Sequence, residues 1–503
     1  MEDTQKDLHS PANTSGAARL SPASNYGPSS LEHIHLMGIC GTGMASLAGL
    51  LKEKGYRVTG SDQDIYPPMS DFLRALRIPI RMGYHGGNLH PVPDLVIVGN
   101  VITRMNPEAV ELSHLRVPYL SFPQALNHFA MKGKQSIVVS GTHGKTTTTA
   151  LAAWILECAG LDPGFMIGGI PINFKKNFKT GEGGYFVIEG DEYDTAFFDK
   201  GPKFLHYRPR IVILTSIEFD HADIYRDLEH VLSSFRRLID LIPPEGLLIA
   251  NADDPRVVPE LRRARCPIRT YGLSGSPGWK AVHIRAHDDM TRLTIEKEGA
   301  PFLDLETRLY GRHNMANLLS TVVLADFLGV SHKDLAMAVG SFCSVKRRQE
   351  ILGEQQGVLV LDDFAHHPTA VLETIHAVKE RFPERRLVAV FEPRSNSSRR
   401  SIFQERYAGA FERADRVMIP EPPLMERVPD GERFSADRLA KDLQKKGVAA
   451  SYFDTHVRLL ENLVLEARSG DVTLFMSNGG FDNLPERFLK GLGQKAPPCD
   501  ADR

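Results

Sequence analysis

The residues with the clearest chemistry lie in the run SIVVSGTHGKTTTTA, Ser136 to Ala150. Gly141, Thr142, His143 and Gly144 form a turn, and Lys145, Thr146 and Thr147 follow it directly. Glycines let backbone N–H groups approach a phosphate, and a helix that starts here aims unpaired donors and a partial positive charge at it. Lys145 would then reach the β- and γ-phosphates of a nucleoside triphosphate, while the Thr146 hydroxyl suits a Mg²⁺ ion. The spacing G-T-H-G-K-T is a shortened form, with Val139 where the longer G-x-x-x-x-G-K-[ST] loop has its first glycine. An ordinary strand-to-helix turn is the bland alternative, but it gives no reason for Gly-Lys-Thr behind a β-branched strand.

Acids and a histidine extend this set. Glu189 ends the run Tyr185 to Ile188, with Asp191, Glu192 and Asp194 just beyond. An acid at the end of a strand beside a phosphate loop is the expected place for a Mg²⁺ ligand. His221 follows Glu218 and Asp220 behind the run Ile211 to Thr215 and could ligate a second divalent ion. An isolated loop histidine is more often a plain surface group. Asn314 and Asn317 stand three apart on a predicted helix and share a face. Their amides could read an adenine edge or simply cap the helix.

Such groups must sit at the C-terminal ends of strands, where open α/β sheets bind ligands. Ile34 to Met37 predicts a strand leading into Gly38-Ile39-Cys40-Gly41-Thr42-Gly43-Met44, then a helix to Lys54 and a second strand ending at Asp62. This is a βαβ opening with its own glycine turn. It could serve NAD, or hold the diphosphate of a nucleotide-linked substrate, and the second nucleotide site at Gly141 favours the latter. Asp62 would suit a ribose or base contact. Asp94 to Asn100 predicts another strand, followed by a polar loop with Thr103 and Arg104, and Ser121 to Lys134 a helix and linker. Alternating residues from Ala281 to Thr307 predict a small antiparallel sheet, and Gly311 to Leu328 a helix. Val358 to Leu361, Leu387 to Phe391, Asp415 to Pro420 and Asp471 to Met476 then alternate with helices, as in a second open parallel sheet.

At 503 residues the chain is too long for one core. The expected class is α/β in three domains. Residues 32–131 form a Rossmann-like domain, 132–344 a P-loop ATPase-like domain with the antiparallel sheet, and 345–490 a Rossmann-like C-terminal domain. Residues 1–31 read as a disordered tail, from their Ser, Pro, Asn and Gly content, and 491–503 as a second tail. Lys+Arg 60 against Asp+Glu 62 leaves a net charge of −2, which argues against a nucleic-acid partner. Five scattered cysteines lack any C-x-x-C pair, so neither a zinc cluster nor a disulfide framework is expected, and the location is expected to be cytoplasmic. No 18-residue apolar run is present, so stable membrane insertion is not expected.

Five spaced motifs, in order, resemble the Mur ligase family, which joins amino acids or peptides to UDP-N-acetylmuramate. They are Gly141 to Thr147, Glu189 to Glu192, Glu218 to His221, His313-Asn314 with Asn317, and Arg347-Arg348 with Asp363-Phe364-Ala365-His366-His367-Pro368. The likeness spans about residues 33 to 485. Gly60-Ser61-Asp62 with Tyr66 to Ser70, Gly99-Asn100 with Thr103-Arg104, Asp191 to Lys200, Glu392 to Asn396 and Met476 to Phe481 resemble the branch that uses a murein tripeptide, L-Ala-γ-D-Glu-meso-diaminopimelate. The sister branch that adds L-alanine, and a nucleotide-binding regulator without ligase activity, are the alternatives.

The resemblance implies a carboxylate that takes the γ-phosphate of ATP, and an amine that then attacks the acyl phosphate. It implies ATP and Mg²⁺ as cofactors. Lys145, Thr146, Glu189, His221 and Arg348 would be catalytic, with Thr146 and Glu189 on one metal and His221 on a second. Asn314 would take the adenine, Asp363 the ribose and Arg348 the phosphates. Gly41, Thr42, Gly43, Met44, Asp62, Asn100 and Thr103 would bind UDP-N-acetylmuramate. Arg394, with its rigid fork, would meet a peptide carboxylate, assisted by Asn396. Two departures stand out. Gly190 replaces an expected alanine, and Leu228 to Asp240 holds no lysine that could be carbamylated, so another group must shape the second metal site.

Overall fold

The computed structural model describes residues 17–65, 69–287 and 289–494. They divide into two compact units, Met1–Lys132 with Asp194–His206, and Gly133–Tyr193 with Tyr207–Arg503. The expected stretch 66–68 and the ends 1–16 and 495–503 lie outside the described residues.

The first unit is built on a five-stranded parallel sheet. Its order is Ile80–Met82, Arg57–Asp62, His33–Met37, Leu95–Val98, Tyr119–Ser121. Leu95–Val98 is buried along its whole length, as a strand covered on both faces must be. The strand order reverses between His33–Met37 and Leu95–Val98. That switch point opens a crevice at the strand ends, where the Gly38 turn and the Gly99 loop emerge. Residues 17–31, expected to be disordered, are instead bound to this sheet. Ala18 N–H donates to Arg104 O at 2.7 Å, the Asn25 amide bonds Tyr119 O and the Gln124 side chain, and the Tyr119 hydroxyl donates to Ser21 O. Ala18 is also buried in the apolar core of this unit, and Leu20 packs against that core.

A second correction concerns residues 194–206, expected inside the central domain. They form a hairpin, Asp194–Ala196 with Asp199–Pro202, that belongs to the first unit. Phe198 meets Tyr119 edge-on with ring centroids 4.9 Å apart, and the Lys203 ammonium sits over Phe122.

The second unit carries two sheets. In the first, Gln135–Ser140 lies between Ile211–Leu214 and Tyr185–Gly190, all parallel. Leu247–Asn251 and Ile268–Gly272 extend it on the Ile211–Leu214 side. The antiparallel strands Trp279–His287, Met290–Lys297 and Ala300–Thr307 appear as expected, and they continue this sheet through Tyr271 and Gly272. The helix Lys145–Cys158 buries Ala150, Leu151, Ala152, Ala153, Ile155 and Leu156. Its small side chains allow close packing against the helices Arg312–Phe327 and His332–Ser341.

The other sheet has the order Glu350–Gln355, Val358–Asp363, Asp471–Met476, Arg386–Phe391, Arg416–Pro420, Ala449–Phe453. It is parallel except for its first strand, an antiparallel edge. The final helix, Leu484–Gln494, runs into what was expected to be tail.

Candidate active site

In the second unit, the strand Gln135–Ser140 delivers the phosphate loop. Gly141 has φ +133° and Gly144 φ +80°, conformations that favour glycine. A Cβ at Gly141 would collide with the Thr215 hydroxyl and the Ser216 backbone, and one at Gly144 with the Asn317 amide. Gly144 precedes the first turn of Lys145–Cys158, so the helix opens with no side chain over its unpaired N–H groups. The chain thus leaves a bare, positively polarised cradle.

Lys145 is largely buried over that cradle. Its ammonium donates to Gly141 O at 2.7 Å and to Glu192 Oε2 at 2.9 Å. Burial works against its charge, but Glu192 and Asp191 outweigh it and the pKa is raised, so Lys145 stays an ammonium. Burial likewise pushes Glu192 up, yet Lys145 and His221 hold it down at about 2. His221 Nε2 lies 3.2 Å from Glu192 Oε1. Its own pKa is raised, with Glu192 and Asp220 prevailing over burial. Glu192 therefore links two expected site residues, although the sequence reading left it outside the site. The signal was present in a second acid three residues beyond Glu189.

Thr146 and Glu189 meet as expected, the hydroxyl donating to Glu189 Oε2 at 3.0 Å. Gly168 N–H donates to the other carboxylate oxygen at 2.6 Å, and burial followed by Asp191 raises the Glu189 pKa. Arg348 arrives from the turn before the C-terminal sheet and donates to Thr146 Oγ1 at 3.2 Å, with its guanidinium 4.6 Å from the Phe364 ring centroid. Arg347 turns the other way, to Asp362 and Ser477 O. The departure at Gly190 has a steric reason: a Cβ there would press on Val138 and Ser140.

Other expected contacts are used differently. His143 Nε2 faces Glu218 at 3.1 Å, and Thr142 exchanges hydrogen bonds with the Glu218 backbone, so both brace the loop. Thr147 is buried. Asn314 donates both amide protons inward, to Tyr310 O and to Gln349 Oε1, each at 3.0 Å. Asp363 accepts from the backbone N–H of Gln349 and Ala365. Asn396 is a strut, donating to Asp223 and accepting from Arg399. Arg394 is more than a third exposed, 3.8 Å from Glu392 and packed on Gly479, where a Cβ would strike it.

In the first unit the Gly38 turn feeds the helix Thr42–Glu53, capped by Gly41. Gly41, Thr42 and Gly43 are exposed, as are Asn100 and Thr103 across the switch point. Two of the expected residues turn inward here. The Met44 side chain is buried, and Asp62 turns into the loop, accepting from Cys40 N–H at 2.7 Å and from the Tyr84 hydroxyl at 3.2 Å. Asp62 shapes the turn from beneath and does not present an open carboxylate.

Three family profiles cover the chain in succession. They are the Mur ligase family catalytic domain at residues 33–134, the Mur ligase middle domain at 139–325, and the Mur ligase glutamate ligase domain at 347–479. The chain belongs to the Mur ligase family. This Mur ligase is 40% identical to the UDP-N-acetylmuramate–L-alanyl-γ-D-glutamyl-meso-2,6-diaminoheptandioate ligase of Escherichia coli K12, over 92% of this chain and 99% of that protein. It is 32% identical to the UDP-N-acetylmuramate–L-alanine ligase of Desulfitobacterium hafniense, over 89% of this chain and 97% of that protein. Among solved structures, a murein peptide ligase from Psychrobacter arcticus covers 93% of this chain at 35% identity, with all of its own chain matched and a TM-score of 0.70. The UDP-N-acetylmuramate–alanine ligase of Thermotoga maritima covers 92%, with 99% of its own chain matched, at 26% identity and a TM-score of 0.75.

Proposed function

We propose that this Mur ligase joins the L-alanine amine of L-Ala-γ-D-Glu-meso-diaminopimelate to the carboxylate of UDP-N-acetylmuramate at the expense of ATP, in murein peptide recycling. Family membership makes it an ATP-dependent enzyme that forms an amide bond. The tripeptide reading rests on one observation above the others, the 40% identity along 92% of the chain to a ligase of that specificity.

In this reading, a carboxylate oxygen of UDP-N-acetylmuramate attacks the γ-phosphorus, the bond to the ADP oxygen breaks, and an acyl phosphate results. The peptide amine attacks its carbonyl carbon, phosphate leaves, the amide forms and the amine proton is lost. Both steps gather negative charge, so positioning and electrostatics carry most of the rate. Lys145 would exchange Glu192 for the γ-phosphate and keep its charge throughout. Arg348 would add a second cation from the turn before the C-terminal sheet. Thr146, Glu189, Glu192 and His221 offer the hard oxygen donors and imidazole that suit Mg²⁺. When bound, that ion would neutralise charge on the phosphates. Thr42, Asn100 and Thr103 would bind UDP-N-acetylmuramate and Arg394 a peptide carboxylate. In the described residues, no helix is long and apolar enough to cross a membrane, and a cytoplasmic site of action fits the reading.

The second reading, L-alanine as the amine, draws on the slightly higher TM-score of the Thermotoga enzyme. Backbone superposition follows a fold common to both specificities, whereas identity also follows side chains, so the tripeptide is preferred. The test offers the purified enzyme UDP-N-acetylmuramate and ATP with either amine. Phosphate release with the tripeptide and little with L-alanine is expected; the reverse would overturn the assignment.

A further inference from the structure

His143, Glu218 and His367 converge on one point at the edge of the phosphate loop. His143 belongs to the loop, Glu218 follows the strand Ile211–Leu214, and His367 caps the helix Pro368–Arg381 beside the C-terminal sheet. One nitrogen or oxygen from each lies within 4.8 Å of the others. His143 Nε2 at 3.1 Å and His367 Nδ1 at 3.4 Å face the same carboxylate oxygen, Glu218 Oε2. The two rings lie together, with centroids 4.7 Å apart.

The His367 ring decides the chemistry of this point. Thr369 N–H donates to its Nδ1 at 3.2 Å, so that nitrogen carries no proton. Its Nε2 faces Phe219 O at 3.3 Å and holds the proton. Burial, then His143, depress the pKa to about 3, which keeps the ring neutral. Burial pushes Glu218 up, but hydrogen bonds from His143 and Thr369 hold it down at about 2, so it is a carboxylate. A lone pair and a carboxylate oxygen thus face each other with no proton between them. Two such acceptors repel, and a cation between them would turn repulsion into ligation. The outer groups suit that role. The second His367 N–H rests on a backbone carbonyl, as in histidines that hold metals, and the Thr369 hydroxyl donates to Glu218 Oε2 at 2.6 Å. Glu218 Oε1 turns away, to Arg256 at 3.6 Å and Arg406 at 3.7 Å. These guanidiniums weaken the site for any dication, and hard ions that depend on oxygen donors lose most. Two imidazoles and one carboxylate oxygen match Zn²⁺ or Co²⁺, with a fourth position for water.

We propose that His143, Glu218 and His367 form a site for a transition-metal dication of the Zn²⁺ class, which ties the phosphate loop to the helix Pro368–Arg381. The ion takes the Nδ1 lone pair that Thr369 N–H holds in a long bond, and His143 presents Nε2 as its Nδ1–H tautomer. No ligand is shared with the set Thr146, Glu189, Glu192 and His221.

The test uses the untagged full-length enzyme, stripped of metal by a chelator and kept in excess Mg²⁺, with Zn²⁺ or Co²⁺ added. Zn²⁺ should raise the unfolding temperature, and Co²⁺ should give the strong visible absorption of a four- or five-coordinate ion. His143→Gln and Glu218→Gln should each weaken Zn²⁺ binding, measured by calorimetry, at least about tenfold. His221→Gln should bind Zn²⁺ like the parent. X-ray absorption of the parent's Zn²⁺ complex, which needs no variant to fold, should show two imidazole ligands. A parent that binds no Zn²⁺ in Mg²⁺ would overturn the proposal, as would a shell of oxygen alone. So would parent-like affinity in a folded His143→Gln protein, or a loss in His221→Gln, which would move the ion to the set around Lys145.

Discussion

Two glycine turns, one in each unit, share a backbone design and differ in what surrounds them. At Gly38 to Gly43 and at Gly141 to Gly144, a buried strand passes through glycines into a helix that starts without a side-chain cap. Both present bare N–H groups to an anion. Around the first turn the supporting acid, Asp62, is spent on Cys40 N–H and Tyr84. Around the second, a buried lysine, an arginine and a row of acids converge on the loop. The first arrangement suits a diphosphate that is held and unchanged. The second suits phosphate in motion, where charge must be met as it develops. The glycine turn recognises phosphate; the charged side chains around it determine whether anything is done to it.

The sharpest break of this contrast is Lys145→Ala. Phosphate release should fall by about 10³-fold or more with the fold intact, since a preorganised charge at the transferring phosphoryl is lost. Full turnover in a folded Lys145→Ala protein would erase the distinction between the turns. Next comes a paired glycine substitution. Gly141→Ala should cost on the order of 2 kcal/mol of stability from strain and overlap. Gly41→Ala, at φ −63° with only Gly38 O nearby, should stay within about 0.5 kcal/mol. Denaturant midpoints measure both, and equal costs would mean the second loop is no tighter than the first.

Asp62→Ala should raise the KM for UDP-N-acetylmuramate about tenfold and leave kcat near the parent, because it frees a loop N–H and touches no reacting atom. A loss confined to kcat would move Asp62 into the chemistry. The smallest effect is in pH. Burial, then the neighbouring His143, depress the His367 pKa to about 3. Between that value and the ordinary histidine value of about 6.5, the unfolded chain binds a proton that the folded chain refuses. Stability from this group is complete above about 6.5 and declines as pH falls toward 3. His367→Gln should flatten the fall in Tm between about pH 6.5 and 5, a window above the Glu218 titration, which is held at about 2. An unchanged slope would show that His367 does not couple the phosphate loop to pH.

The sequence disclosed what is local and chemically exclusive. Gly141, Lys145 and Thr146 sit in one run, and Glu189 ends a strand whose β-branched core was plain, so the phosphate loop and its acid were legible. So was the strand-helix alternation of both parallel sheets. What escaped depends on pairing across the fold. Glu192 was visible as an acid beyond Glu189, but its part in the site shows only in its facing Lys145 and His221. His367 gains meaning from Glu218, far earlier in the chain. Asn396 and Asp62 carry the expected residue types, and their bonds to Asp223 and to the Cys40 N–H are ones that composition cannot reveal. Residues 17–31 looked disordered because what holds them is distant in the chain: hydrogen bonds to Tyr119, Gln124 and Arg104, and the packing of Ala18 and Leu20 on the core of the first unit.

The hairpin at 194–206 bears on how such a chain can be divided and recombined. The peptide leaves the second unit at Tyr193, one residue beyond Glu192, and returns at Tyr207. The first unit is therefore not a contiguous cassette. A fragment cut after Lys132 would lose Phe198 from Tyr119 and Lys203 from Phe122, exposing aromatic surface that the intact chain covers. Exchange of substrate-binding domains between relatives would have to carry this thirteen-residue graft as well, within a few residues of the carboxylate that holds Lys145.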